Sequence, residues 1–320
     1  SITQSRQSCA AEYASNAVPC YHPLTAYRST ERTANGKSAI HFKKGPTTHT
    51  QIELPCGQCI GCRLERSRQW AIRIMHEASL YSDNCFITLT YDDEHLPRDG
   101  SLHVHHYQKF MKRLRKKYAH KTIRFFHCGE YGDQTKRPHY HACIFNHDFT
   151  DRVPHSCTNG ITVDESSDLN SLWPFGFTTV GNLTFESAAY TARYIMKKIN
   201  GAAAPAHYER ISFETGEVYQ IKPEYTTMSR RPGIGADWYK KFKDNTYPQD
   251  AIYMRNQLMK PPKFYDSRLE LTDPDLLETV KENRKIKARK HKKDNTPERL
   301  AQREIVKKAQ TNLLKRNEEI

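Results

Sequence analysis

No stretch of 18 apolar residues occurs in this 320-residue chain, so it offers no segment able to cross a bilayer as a helix. Its opening residues, Ser1-Ile2-Thr3-Gln4-Ser5-Arg6-Gln7, contain no apolar core of the kind that directs secretion. Acidic residues are in short supply. Asp and Glu number 36 against 50 Lys and Arg, a formal net charge of +14, which favours a polyanionic partner. Cysteine is not scarce, but nine is an odd count and several sit in strand-like apolar runs. The expectation is reduced thiols and metal ligands in a cytosolic compartment, not a disulfide framework.

The most informative stretch is Arg137-Pro138-His139-Tyr140-His141-Ala142-Cys143-Ile144-Phe145. Its aromatic and β-branched residues predict a strand, on which His139 and His141 share one face. Two imidazoles one pleat apart can bind one metal ion. Glu130, just upstream, can reach the same ion if its strand pairs with this one. Two histidines and a carboxylate leave coordination positions open, as a catalytic metal requires. The histidine pattern alone favours two satisfied sheet histidines, and a second stretch shifts that balance. Tyr190-Thr191-Ala192-Arg193-Tyr194-Ile195-Met196-Lys197-Lys198 has helical periodicity, with Tyr190, Tyr194 and Lys197 in one sector. Ala188, Ala192, Ile195 and Ile199 form an apolar stripe on roughly the opposite side.

His-aromatic-His on a strand followed by Tyr-x3-Tyr-x2-Lys-Lys on a helix resembles the HUH endonucleases, and within them the replication initiators of the microviruses. The likeness extends to Phe86-Ile87-Thr88-Leu89-Thr90-Tyr91, to Pro55-Cys56-Gly57-Gln58-Cys59-Ile60-Gly61-Cys62-Arg63 and to Met228-Ser229-Arg230-Arg231-Pro232-Gly233-Ile234-Gly235. It implies an α+β fold, an RRM-like or ferredoxin-like central antiparallel sheet with flanking helices on one side. It implies Mg2+ or Mn2+ at Glu130, His139 and His141. Tyr190 and Tyr194 would be alternating nucleophiles, with Lys197 offsetting charge. It further implies a rolling-circle nickase and strand-joining enzyme that passes through a 5′-phosphotyrosine. Its partners would be single-stranded or melted origin DNA and the host replication helicase and polymerase, in the host cell cytoplasm and with no membrane. Two alternatives stay open: a phosphodiesterase using water, and a nonenzymatic nucleic-acid-binding protein with structural metal sites.

The rest of the chain divides around this core. Residues 1–63 form a Cys-rich segment, 64–258 the endonuclease domain and 259–320 a basic tail. Residues 1–54 are weakly patterned and predict loops with at most a short hairpin. Cys56-x2-Cys59-x2-Cys62 brings three thiols onto a Gly-containing turn, an incomplete structural Zn2+ site with Cys20 as the fourth ligand and His22 next in line. The spacing predicts a helix from about 64 to 80, a strand over 85–91, a helix over 103–118 and a strand over 121–128. A loop over 130–137 then joins this strand to the histidine strand. Residues 146–170 read as an insertion loop. On the second helix Lys112 and Lys116 belong to an all-positive outer face that could meet phosphate. His103, His105 and His106 before it are read as surface histidines. Arg230 and Arg231 in a glycine-containing loop could clamp a phosphate, with Lys198 as a further DNA contact. Residues 281–320 hold 14 Lys and Arg against 6 Asp and Glu, a basic helical or partly disordered tail.

Overall fold

Alternation along three strands sets the centre of the fold. In β4 (Asn84–Tyr91) residues Cys85, Ile87, Leu89 and Tyr91 are buried on one face, while Phe86, Thr88 and Thr90 line the other. In β6 (Pro138–Phe145) Tyr140, Ala142 and Ile144 join the same core, leaving His139, His141 and Cys143 on the opposite face. β5 (Arg124–Tyr131) lies beside β6, and its Phe126, Cys128 and Glu130 share the histidine face. These strands belong to a seven-stranded antiparallel sheet in the order β12-β5-β6-β4-β9-β8-β7. The added strands are β7 (Val153–Thr158), β8 (Ile161–Glu165), β9 (Gly176–Asn182) and β12 (Tyr225–Met228). This is the expected α+β class.

The computed structural model describes residues 20–34, 38–132, 135–158, 161–193, 198, 204–211, 215–247 and 249–314. It divides into two units, residues 66–277 and the described residues of 16–65 with 278–319. The Cys-rich segment and most of the basic tail thus share one unit. The division falls inside α1 (Ile60–Ala78).

Within the larger unit, α2 (Val104–Lys117) buries Tyr107, Phe110, Met111 and Leu114 against the core face of the sheet. Full burial of each contributes roughly 1.5–3 kcal/mol. α3 (Ser167–Leu172), capped by the Ser166 hydroxyl accepting from the Leu169 N–H, adds Leu169 and Leu172 to that core. The other face is also covered, contrary to the expectation of helices on one side only. Trp70 of α1 packs on Phe126 with ring centroids 5.0 Å apart. Thr191 of α4 (Phe185–Arg193) meets the Cys143 sulfur at 3.7 Å. The Ser67 hydroxyl donates to the Ala189 carbonyl, joining these two helices.

Two further expectations are corrected. Residues 146–170 hold the β7–β8 hairpin and α3 in place of an insertion loop. Residues 24–54 form a three-stranded antiparallel sheet of β1 (Leu24–Arg32), β2 (Ser38–His41) and β3 (Thr48–Leu54), in the order β2-β1-β3. The small hairpin expected around Thr215-Gly216 is present as β10 (Glu209–Ile211) and β11 (Val218–Gln220), just after α5 (Ala204–Tyr208). The chain continues through α6 (Ala236–Thr246), β13 (Ile252–Met254), β14 (Gln257–Met259) and α7 (Lys263–Thr272). α8 (Pro274–Arg289) and α9 (Pro297–Leu314) make the described part of the tail helical.

Candidate active site

Register brings the site together. Glu130 stands directly opposite His139 across the β5–β6 pair, and Cys128 opposite His141. Glu130 lies in the strand itself, not in the connecting loop as expected. The His141 Nε2 and the Glu130 Oε1 are 3.0 Å apart, with both side chains buried. The Nε2 of His139 faces the end of β5, since a methyl built on Gly132 would lie 3.1 Å from it. The two imidazoles are nearly parallel, with centroids 6.4 Å apart.

Two residues of the site were missed in the sequence. On the other flank of β6, Thr88 is in register with His141 and Thr90 with His139. Their hydroxyls each lie 3.0 Å from the corresponding Nδ1. A threonine therefore holds each ring by its inner nitrogen and leaves the Nε2 atoms turned towards β5. The signal was legible in principle: threonines two apart on β4 match histidines two apart on β6.

Tyr190 of α4 reaches this face. Its ring stands edge-on to His141 at 5.3 Å between centroids and to Phe86 at 6.3 Å, and Arg193 lies 5.8 Å from the centre of the tyrosine ring. Phe86 in turn stacks parallel to His141 at 5.8 Å. Ala188 and Ala192 are buried, as the apolar stripe predicts. Tyr194 and Lys197 lie outside the described residues; Lys198 is described and exposed.

The donor set suits a hard divalent ion: one carboxylate and two neutral imidazoles with their outer nitrogens on one side. The three ligand atoms are not all within 4.8 Å of one another. Among the described residues only Cys20, Cys56, Cys59 and Cys62 meet that criterion. In that second cluster, burial raises the Cys56 thiol, but the N–H groups of Cys59 and Gln58 outweigh it and bring the value down to about 7. Burial raises Cys20 and Cys62. His22, the runner-up ligand, instead contacts Glu304 at 2.7 Å.

The expected phosphate contacts separate by location. Arg230 and Arg231 are exposed on the loop after β12. This loop is held from beneath: Glu77 accepts from the Gly235 N–H at 2.7 Å and pairs with buried Arg124, which donates to the Pro232 carbonyl. Gly235 has φ 76°, and a methyl there would meet the Tyr265 oxygen at 2.7 Å, so only glycine fits. Lys112 and Lys116 are exposed on α2, which packs on the sheet face opposite to the histidines. They stand on the far side of the sheet from the site. His106 is not a simple surface histidine: it bonds the buried Tyr91 hydroxyl at 2.6 Å and stacks on Phe175. Burial and the neighbouring His105 and His103 hold it down to about 4.

Comparison with known proteins places this geometry. A family model for replication-associated proteins of the ORF2 type matches residues 84–199, the span from β4 through the tyrosine helix. The chain is 32% identical to the replication-associated protein VP4 of Bdellovibrio phage phiMH2K, over 80% of this chain and 78% of that one. It is 33% identical to the replication-associated protein ORF2 of Spiroplasma virus 4, over 74% of each. With the replication-associated protein ORF4 of Chlamydia phage 1 it shares 34% identity, over 45% of this chain and 38% of that one. The chain belongs to this family of phage replication-associated proteins. No solved structure matches it.

Proposed function

We propose that the protein is a site-specific single-stranded DNA nickase and strand-joining enzyme that starts and ends rolling-circle replication of a small phage genome. The observation that carries this reading is a phenol from α4 set against the imidazole of His141, on a sheet face that also holds Glu130 and His139. The relatives' names support a role in phage DNA replication.

Glu130, His139 and His141 are the residues that would hold Mg2+ or Mn2+. When bound, such an ion draws charge from the phosphoryl oxygen of a DNA phosphodiester. Thr88 and Thr90 keep the imidazoles oriented. The Tyr190 oxygen bonds to phosphorus as the bond from phosphorus to the 3′ oxygen breaks. The phenolic proton, ordinarily held until about pH 10, is lost to water, and the departing oxygen takes up a proton as a free 3′-OH. The product is a 5′-phosphotyrosine that conserves the phosphodiester's bond count, so attack by a 3′-OH rejoins the strand. Tyr194, one helical turn on and about 6 Å along the axis, is the second nucleophile. Lys197 offsets charge at the phosphate, and Lys198, Arg230 and Arg231 contact the strand backbone. The substrate is single-stranded or melted origin DNA, handed on to the host helicase and polymerase in the host cytoplasm.

The test is incubation of the protein and Mn2+ with labelled single-stranded origin DNA, followed by denaturing electrophoresis. A denaturation-resistant adduct that disappears in Tyr190→Phe/Tyr194→Phe is expected. Cleavage without an adduct would instead mean water as nucleophile, and salt-sensitive binding without cleavage a nonenzymatic role.

A further inference from the structure

A second chemical centre, remote in sequence from the tyrosine helix, lies in the unit formed by the two ends of the described chain. We infer that Cys20, Cys56, Cys59 and Cys62 hold a single structural Zn2+ ion, and that this ion fastens the C-terminal basic helix α9 to the N-terminal segment. This site is independent of the nickase reading.

The geometry is that of a thiolate tetrahedron. All four sulfurs lie within 4.8 Å of one another. With zinc–sulfur bonds of about 2.3 Å, the edge of a regular tetrahedron is about 3.8 Å. The Sγ atoms of Cys59 and Cys20 are 3.9 Å apart. A disulfide needs about 2.0 Å, and the four thiols are free. Gly57, with φ 75°, turns the chain so that the N–H groups of Gln58 and Cys59 point back at the Cys56 sulfur, at 3.4 and 3.3 Å. The Cys56 N–H points at the Cys20 sulfur at 3.2 Å, and the Tyr21 N–H at Cys59 at 3.3 Å. Backbone donors thus compensate the negative sulfurs of a zinc–tetrathiolate centre.

What surrounds the sulfurs gives the ion its role. Tyr21, Cys59 and Leu300 form a small buried cluster, against which Cys20, Cys56, Ile60 and Cys62 pack. Leu300 belongs to α9, as does Glu304, whose carboxylate meets His22. So small an apolar cluster is a weak anchor for an 18-residue helix rich in charge. An ion beneath it supplies the missing constraint, because binding to such sites is itself folding free energy.

The test uses the full chain and its His139→Ala/His141→Ala variant, so that metal at the sheet face is kept apart from metal at the thiols. Metal analysis is expected to give one zinc per chain in both, released as a mercurial reagent caps the four thiols. Cys20→Ser and Cys59→Ser lose that zinc, whereas Cys85→Ala, at a core thiol elsewhere, keeps it. Replacement by Co2+ gives the visible spectrum of a tetrahedral thiolate centre. Stripping the zinc makes trypsin cleave within 297–314 at least about ten-fold faster, and returning it restores protection. The inference is overturned if the four cysteines are isolated as disulfides, if the zinc vanishes in His139→Ala/His141→Ala, if iron replaces zinc, or if stripping leaves trypsin cleavage unchanged.

Discussion

Changing Thr88 to Val removes the hydroxyl 3.0 Å from the His141 Nδ1 and keeps the branched shape. When Nε2 serves a metal, Nδ1 carries the proton and donates it to the threonine oxygen. Valine leaves that donor without a partner in a site where His141 is only 6% exposed. An unsatisfied buried group costs about 1–3 kcal/mol. Loss of such a partner typically weakens metal binding or activity 10–100-fold, about 1.4–2.7 kcal/mol. Thr90→Val acts on the less buried His139 and is expected at the lower end of that range. The assay is the rate of adduct formation on single-stranded DNA as a function of Mn2+. Both variants should need more metal for half-maximal rate, Thr88→Val more than Thr90→Val, and serine at either position should restore most of the loss. An unchanged half-saturating metal concentration in the double valine variant would refute the idea that these hydroxyls orient the ligands.

The buried Glu77–Arg124 pair should behave differently. Glu77→Ala strands the Arg124 charge and the Gly235 N–H, costing about 3–5 kcal/mol in urea unfolding, while Glu77→Leu/Arg124→Met should recover much of it. Acid should destabilise the fold through its neutral histidines. Burial holds His76 down to about 3 and His147 to about 4, both below the ordinary 6.5. The unfolded chain binds those protons first, so this stability is complete above pH 6.5 and is lost as pH falls towards 4. The slope is about 1.4 kcal/mol per pH unit for each, readable from urea midpoints across that window. Charge removal should separate two basic surfaces. Arg230→Gln/Arg231→Gln should weaken single-strand binding and flatten its salt dependence, whereas Lys112→Gln/Lys116→Gln, on the far side of the sheet, should leave cleavage unchanged.

The parts legible in the sequence are those where one face of an element is buried and the other is not. β4 and β6 alternate cleanly because Ile87, Leu89, Tyr140 and Ala142 are buried while Thr88, Thr90, His139 and His141 face the site. α2 shows helical spacing because Tyr107, Phe110, Met111 and Leu114 all enter one core. Cys20 pointed to Cys56–Cys62 because four thiols have a shared chemistry that crosses any loop. The parts not legible lack such contrast. β1 buries Ala26 and Ser29, too small to mark a strand, while Leu24 is exposed. β7 exposes Val153 and has Pro154 as its second residue, so it reads as loop. Threonine packs well on any strand, so the ring-holding role of Thr88 and Thr90 emerged only once register set them beside the histidines.

The central claim is that a phenol on the α4 stretch attacks a phosphate held at the histidine face. Its most direct test is to trap the product on single-stranded origin DNA, digest both components and locate the attached nucleotide by tandem mass spectrometry. The account predicts a 5′-nucleotide carried on Tyr190 or Tyr194. A nucleotide on any other residue, or cleaved DNA whose 5′-phosphate is free, would contradict it.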